Sequence, residues 1–187
     1  MNVVKKSAEQ LPVAAARAGS PEAWDALFRR YQLPLYTYVY ELLRDEQASL
    51  DVVQETFINA SRHLGSLRED ARFGGWLFGI AHQKCAQRWR RKGREEWCTE
   101  ALTEEMAGPE EGPDELLLRR EQEEEFMEWI ARLPAVQRAV ILLHYLEEFS
   151  LEQIAQITET QVGTVKSRLH YAKQALRKRA AENPCPR

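Results

Sequence analysis

Apolar side chains recur every three or four residues along most of this chain, and no convincing stretch alternates apolar with polar residues as a strand does. Ser20-Pro21 predicts the start of a long helix, because serine caps a helix and proline fits its first turn. We expect Pro34 to end or kink that helix. Its apolar positions are Trp24, Leu27, Phe28 and Tyr31 before the proline, and Leu35, Val39, Leu42 and Leu43 after it. The pattern predicts an all-α protein.

With the segments before and after Pro34 counted as two helices, two more complete a predicted four-helix domain over residues 1–92. Asp45-Glu46 predicts a turn, and a third helix is expected from about Leu50 to Leu64. Glycines then bracket a loop over Ser66 to Phe73. The fourth helix follows this loop and ends in a basic, aromatic segment. Its predicted inward-facing residues are Trp76, Leu77, Ile80, Ala81 and Cys85.

A second helical domain is expected over residues 113–183, beyond a linker over residues 93–112. The linker is rich in acids and interrupted by glycine and proline, a composition typical of a flexible segment. In the second domain, Pro113-Asp114 begins a helix that Pro134 closes, and another helix is expected over about 135–147. The fold class is therefore two small helical domains joined by a flexible acidic linker.

The end of the second domain has the pattern of a helix-turn-helix. Ser150-Leu151-Glu152-Gln153 matches a capping box, which predicts a short helix ending at about Ile157. After a turn over Thr158 to Gln161, a last helix begins at Val162. Its apolar positions are Val162, Val165, Leu169, Ala172 and Leu176, and its basic face holds Lys166, His170, Lys173 and Arg177.

The charges are segregated along the chain, although 26 basic and 29 acidic side chains leave a net charge of only −3. Residues 72–94 hold seven basic side chains and no acid. Residues 95–128 hold fourteen acids against two arginines, and residues 162–179 hold six Lys or Arg and no acid. This distribution predicts two anion-binding segments separated by an acidic connector.

The last helix has side chains suited to duplex DNA, since the second helix of such a motif enters the major groove. Gly163 and Thr164 are small enough for backbone N–H groups to approach a phosphate. Residues with charge or hydrogen-bonding groups follow: Lys166, Ser167, Arg168, His170 and Tyr171. The alternative is a basic amphipathic helix that only caps a bundle; the capped helix and the turn before it favour DNA binding.

Residues 72–94 suit single-stranded DNA, because their basic side chains are interleaved with aromatic ones that could meet unstacked bases. For Trp76 and Phe78 individually, burial in the core is the better interpretation. The cluster Arg88, Arg90 and Arg91 is harder to assign to an ordinary solvated face, which would include acids.

Metal, cofactor and catalytic signals are weak in this sequence. Cys85, Cys98 and Cys185 form no paired spacing, and the pair His82 and Cys85 lacks a second pair of ligands, so neither a metal nor a cofactor is expected. No nucleotide-binding glycine loop or nucleophile elbow is present, so an enzyme is not expected. Without a long apolar run or a secretory leader, the chain is expected to be cytoplasmic and not inserted in a membrane.

The order of motifs resembles bacterial RNA polymerase sigma factors of the sigma-70 family, in the extracytoplasmic-function (ECF) class. The run DVVQETF from Asp51 to Phe57 resembles the family's polymerase-binding helix, and FGGWLFGIA from Phe73 to Ala81 resembles the stretch before its −10 helix. RLP from Arg132, SLEQIA from Ser150 and GTVKSRL from Gly163 resemble the domain that reads the −35 element. The resemblance covers residues from about 13 to 180, except the linker.

The resemblance implies a role for each group of residues. Residues that would contact core RNA polymerase are Asp51, Gln54 and Glu55. The loop Ser66–Arg72 and the helix after it would capture a flipped base of melted −10 promoter DNA; the implied contacts are Arg72, Gln83, Gln87, Arg88, Arg90 and Arg91. The implied −35 contacts are Gly163, Thr164, Lys166, Ser167, Arg168, His170, Tyr171 and Lys173. Many members of the family are also restrained by an anti-sigma factor.

Three positions depart from the family's pattern, and a second function remains open. Gln83 and Gln87 stand where the family usually has Asn and Asp, and Tyr171 stands where Arg is common, so promoter sequence does not transfer from relatives. The alternative function is a stand-alone helix-turn-helix regulator that binds duplex DNA without polymerase. It leaves residues 72–94 and the polar face of Asp51 unexplained.

Overall fold

The computed structural model describes residues 11–91 and 120–182, with side chains of the second part described over residues 126–180. The regular elements within these ranges are helices, with no strand among them, so the predicted all-α fold class is confirmed. The helices are α1 (Val13–Arg17), α2 (Pro21–Leu43), α3 (Glu46–His63), α4 (Phe73–Arg91), α5 (Arg120–Ala131), α6 (Ala135–Tyr145), α7 (Leu151–Ile157) and α8 (Val162–Glu182). They belong to two compact units, with the main division after Arg88.

A tight turn joins α1 to α2. Gly19 has φ 93°, the left-handed conformation that glycine adopts most readily, and its N–H donates to the Ala16 carbonyl at 3.0 Å. The N–H of Ser20 donates to the Ala15 carbonyl at 3.0 Å, which completes a Schellman motif at the end of α1. Ser20 also caps α2 by accepting the N–H of Ala23 at 3.2 Å. One short segment therefore ends the first helix and begins the second.

Of the two outcomes expected at Pro34, an end or a kink of the helix, the end is wrong, because α2 continues through this residue to Leu43. A proline inside a helix costs about 3 kcal/mol, since it removes a backbone donor and crowds the preceding turn. The apolar side chains on either side of Pro34 are buried along one face, and their packing offsets that cost. They are Leu27, Tyr31, Leu35, Tyr38, Val39 and Leu42.

The boundaries predicted for α3 and for the following loop also need correction. Helix α3 begins at Glu46 rather than Leu50, because the Asp45 carboxylate accepts the N–H of Ala48 at 2.9 Å and caps it. The loop contains two short 3₁₀ turns, Leu64–Ser66 and Asp70–Arg72. Phe73 belongs to α4 rather than to the loop, and its side chain is fully buried.

The interior of the first unit includes a polar pair and a buried thiol. The Tyr38 hydroxyl and His82 Nδ1 lie 2.7 Å apart, and burial raises the pKa of Tyr38 well above its usual value. Cys85 is a free, fully buried thiol, as expected for a small apolar residue on a packed helix face. Of the other predicted inward residues of α4, Leu77 and Ala81 are buried, whereas Trp76 and Ile80 are only half-buried.

The second unit packs α6 and α8 against each other and against α5. Helix α6 is buried along most of its length, and it contributes a buried arginine. The guanidinium of Arg138 donates to the Leu133 carbonyl at 3.2 Å, just beyond the end of α5. The buried face of α8 confirms the predicted spacing for Val165, Leu169, Ala172 and Leu176, whereas Val162 is half-buried.

The helix-turn-helix is built as the capping residues predict. Ser150 Oγ accepts the Gln153 N–H at 3.3 Å, and Gln153 Oε1 accepts the Ser150 N–H at 2.9 Å, so both halves of the capping box are present. Helix α7 ends at Ile157 in a Schellman motif, in which Glu159 has φ 53° and the Thr160 N–H donates to Ala155. The turn is therefore held by backbone hydrogen bonds.

Several expectations fall on other parts of the chain. The acidic linker over residues 93–112, the helix start at Pro113-Asp114, Cys98 and Cys185 lie outside the described residues. Among residues 11–91 and 120–182, no helix is both long and apolar enough to cross a membrane. The same part of the chain brings together no group of three or more metal-ligating side chains.

Candidate nucleic-acid interface

The first turns of α8 present small and polar residues to solvent. Gly163 is exposed, and a Cβ added there would meet no other described part of the chain within 4 Å apart from its own helix backbone and its chain neighbours. Ser167 lies on the same turn and donates from Oγ to the Thr164 carbonyl at 3.0 Å. Lys166 and His170 are exposed one turn apart, and Arg168 is half-buried. This end of α8 is therefore open to a ligand, as a recognition helix requires.

Two basic side chains of α8 interact with residues of neighbouring elements: Lys166 with Glu152 of α7, and Lys173 with Tyr145 of α6. The exposed carboxylate of Glu152 in α7 has a lowered pKa, first because its own backbone N–H donates to it, then because Ser150 does, with the positive charge of Lys166 as a smaller cause. Further along, Lys173 Nζ lies 5.8 Å from the centre of the Tyr145 ring, within the range of a cation–π contact. Tyr171 is 39% exposed, and its ring meets that of His170 edge-on at 5.7 Å.

Helix α4 carries two groups of polar side chains, which differ in exposure and in pairing. The exposed residues Gln83, Gln87, Arg90 and Arg91 follow a spacing of four, three and one, so they form one outward stripe, the α4 stripe. Lys84 and Arg88 adjoin this stripe, but they are half-buried and pair with carboxylates on α3. Arg88 therefore differs from the other predicted −10 residues of this helix in its pairing with α3, although it lies one turn from Arg91.

The predicted polymerase-binding residues lie on the exposed face of α3, beside Lys84 and Arg88 of α4. Lys84 Nζ lies 2.9 Å from Glu55 Oε2, and Arg88 lies 3.4 Å from Asp51 and 3.6 Å from Glu55. Gln54 is exposed in the same turn. Asp51, Glu55, Lys84 and Arg88 thus form an interhelical ion-pair cluster whose carboxylates remain about half exposed.

The loop between α3 and α4 is held by an arginine from α1. Arg17 Nη2 donates to the Leu67 carbonyl at 3.1 Å and forms an ion pair with Asp70, while its Nε lies 3.5 Å from the Leu64 carbonyl. Arg72, the predicted −10 contact in this loop, is exposed and pairs with Glu69 at 2.8 Å.

Sequence reasoning did not identify Arg17, Lys84, Glu152 or Tyr145 as neighbours of the candidate residues. Arg17 lies about fifty residues from the loop that it contacts, and Lys84 lies 29 residues from Glu55. No local pattern reports such distant contacts. For Glu152 alone a signal existed, since a capping box places it in the first turn of α7, the helix before α8.

Comparison with known proteins identifies the two units. Residues 27–95 match the family model for sigma-70 region 2, and residues 123–176 match the model for sigma-70 region 4. The RNA polymerase sigma-H factor of Pseudomonas aeruginosa is 32% identical, covering 91% of this chain and 92% of its own. The ECF RNA polymerase sigma factor SigW of Bacillus subtilis is 30% identical, covering 94% of this chain and 96% of its own.

Two solved structures share the fold. CnrH in complex with the cytosolic domain of CnrY superposes with a TM-score of 0.66 at 23% identity, over 95% of this chain and 99% of that one. The sigma factor RpoE of Bartonella quintana, in complex with the anti-sigma factor NepR, gives a TM-score of 0.59 at 25% identity, over 81% and 94%. With both regions matched and relatives aligned over nine-tenths of its length, the chain belongs to the sigma-70 family, in the ECF class of sigma factors.

Proposed function

We propose that this chain is a promoter-specificity subunit of RNA polymerase, which binds the core enzyme and brings it to two promoter elements. The observation that carries the proposal is that the described residues present two exposed basic or amide-rich helical surfaces, the α4 stripe and the start of α8. One chain would thus contact DNA at two places, and the polymerase would perform the chemistry.

The start of α8 would read the −35 element as duplex DNA. Gly163 and Thr164 would admit a phosphate close to the backbone, while Lys166 and His170 reach base edges from the exposed side. Lys173, held beside Tyr145, is one turn or more further along and would contact phosphate. Tyr171 replaces a possible arginine contact to guanine with a ring that stacks or packs against sugar.

The α4 stripe and the loop before it would hold melted −10 DNA. Amide side chains such as Gln83 and Gln87 can bond base edges, and Arg90 and Arg91 supply positive charge for the backbone of a single strand. Flipping a base costs a few kcal/mol, so a loop that accepts the base is needed as well as charge. The loop Ser66–Arg72 immediately precedes α4 and supplies that position.

The exposed face of α3 would dock on core polymerase. Gln54 and the half-exposed carboxylates of Asp51 and Glu55 offer hydrogen-bond acceptors to a basic or polar partner surface. Because Arg88 and Lys84 pair with the same carboxylates, we propose that Arg88 serves both surfaces: it organises the docking face in the free protein and lies at the border of the −10 site.

We also propose regulation by an anti-sigma factor and a cytoplasmic location. The proposal rests on the similar structures, in which RpoE is bound to the anti-sigma factor NepR and CnrH to the cytosolic domain of CnrY. A partner that covers α3 or α8 would prevent polymerase or promoter binding.

The test separates a sigma factor from a stand-alone regulator. We expect the full-length chain alone to bind promoter duplex weakly, since its net charge of −3 opposes DNA, and core polymerase to create specific binding. The measurement is a gel shift of promoter duplex with the chain, with core polymerase, and with both. Tight sequence-specific binding by the chain alone, unchanged by polymerase, would identify a stand-alone regulator instead.

A further inference from the structure

We propose that Arg17 is a positioning residue for −10 recognition, which holds the loop Ser66–Arg72 in the shape that receives the flipped base. The inference rests on the proposed function of that loop. It assigns a role in promoter reading to α1, which lies outside the residues that match sigma-70 region 2.

The helix that carries Arg17 is anchored in the first unit. It is the last residue of α1, whose side chains Val13 and Ala16 are buried. The Schellman motif at Gly19 and the cap at Ser20 then join α1 to the long helix α2 with little freedom. The guanidinium is therefore held at the loop by a short, anchored helix.

The contacts of Arg17 connect parts of the loop whose other hydrogen bonds, within the described part of the chain, are local. Ser66 Oγ donates to the His63 carbonyl at 2.7 Å in the first 3₁₀ turn, and the Arg72 N–H donates to the Glu69 carbonyl at 3.0 Å in the second. Arg17 bonds the Leu67 carbonyl between the turns and the Asp70 carboxylate of the second turn. A planar guanidinium with several donors suits such a bridge.

The charge of Arg17 has a second consequence for DNA. Asp70 would place a negative charge next to a phosphodiester strand, which repels it. The ion pair with Arg17 offsets this repulsion. Removing Arg17 would then loosen the loop and leave the Asp70 charge uncompensated at the same time, so the effect should appear when melted DNA is bound.

The experiment compares Arg17→Ala, Arg17→Lys and Asp70→Asn with wild type in reconstituted holoenzyme. The matched control is Arg29→Ala, which removes an exposed arginine that pairs with Asp25 at 2.8 Å within α2. Four quantities are measured: the melting temperature, affinity for core polymerase, occupancy of promoter duplex before melting, and open-complex yield across a library of single-base −10 variants.

We expect Arg17→Ala to lower open-complex yield about tenfold and to flatten the preference at one −10 position, the size of effect typical of lost hydrogen bonds to a charged group. Core affinity, duplex occupancy and the melting temperature should match the control. Arg17→Lys should recover part of the yield through its charge on Asp70, and Asp70→Asn should have a smaller effect than Arg17→Ala.

Three results would overturn the inference in distinguishable ways. An unchanged −10 profile and yield in Arg17→Ala would show that the contacts do not position the loop. Equal losses in core affinity, duplex occupancy and melting temperature would show a role in folding alone. If wild type itself shows no −10 preference in the presence of polymerase, the proposed function of the loop fails, and the inference fails with it.

Discussion

Replacing Gln54 and Glu55 together by alanine tests the proposed docking face of α3 most sharply. Both side chains are exposed, while their neighbours Val53 and Phe57 are buried in the opposite direction. The double variant therefore removes polar groups from the surface without opening a cavity. We expect it to weaken binding to core polymerase while the fold persists.

The ion-pair cluster sets the expected cost in stability. Glu55 pairs with Lys84 at 2.9 Å and with Arg88 at 3.6 Å, and its side chain is 53% exposed. Exposed ion pairs contribute roughly 0–1 kcal/mol each, and Arg88 keeps its contact with Asp51. We expect the free energy of unfolding to fall by about 1 kcal/mol, which lowers the melting temperature by about 4–8 °C in a domain of this size.

The expected cost in polymerase binding is larger. Truncating a residue that dominates an interface costs about 2–4 kcal/mol, which corresponds to a roughly 30- to 1,000-fold weaker affinity, and we expect the pair to have an effect of this size. The two effects therefore differ enough in size to be separated. The assay is fluorescence titration of labelled chain with core polymerase, beside a thermal melt of each variant.

The matched control is Asp25→Ala, which breaks the exposed ion pair with Arg29 in α2. It should cost a similar or smaller amount of stability and leave polymerase affinity unchanged. If the double variant remains folded and assembles with polymerase at wild-type affinity, α3 is not the docking face. If the double variant and the control lose the same affinity, the loss comes from removing surface charge in general and not from losing a docking contact.

Three further predictions address the other surfaces and the core. Arg90→Ala with Arg91→Ala should reduce strand melting in permanganate footprints but leave initial duplex binding intact, whereas normal melting would remove the α4 stripe from the −10 site. Lys166→Ala should weaken binding to the preferred −35 site by about 1–3 kcal/mol and relax the base preference at one or two base pairs. Arg177→Ala should instead weaken binding to all sites alike and lower the slope of log affinity against log salt concentration by about one. An unchanged base-preference profile for Lys166→Ala would refute its reading role. Burial raises the pKa of the Cys85 thiol from 9.0 to about 12, so the folded chain keeps it protonated while the unfolded thiol ionises. Its contribution to stability is thus complete below pH 9.0 and is lost as pH rises toward 12, by up to about 1.4 kcal/mol per pH unit, and titrations of Cys85→Ala should lack that slope.

The sequence predicted most of the second unit because its signals are local. A capping box, a turn and an apolar repeat each depend on residues within four positions of one another, and the structure has α7 ending at Ile157 and α8 starting at Val162 as predicted. Pro34 was a wrong local signal for a helix end, because non-local packing decides the outcome there. The packing of a whole helix face outweighs a penalty of about 3 kcal/mol, and that packing involves residues distant in sequence.

The candidate surfaces were predicted as residue types but not as groupings. The basic run of α4 was treated as one cluster, whereas the helix turns Arg88 toward Asp51 and leaves Arg90 and Arg91 outside. The difference comes from Asp51 on the neighbouring helix, so it becomes visible only when the position of α3 is known. Arg17 had no sequence signal at all, since its partners are brought to it by the tertiary fold.

The most direct test of promoter recognition by this chain is transcription in vitro with core polymerase on a library of randomised promoters. We expect productive templates to share two short elements at a fixed spacing, with Lys166→Ala altering only the upstream one and Gln83→Ala with Gln87→Ala altering only the downstream one. Transcripts that require the chain but show a single upstream element, with the downstream bases random, would contradict the account of two DNA-reading surfaces.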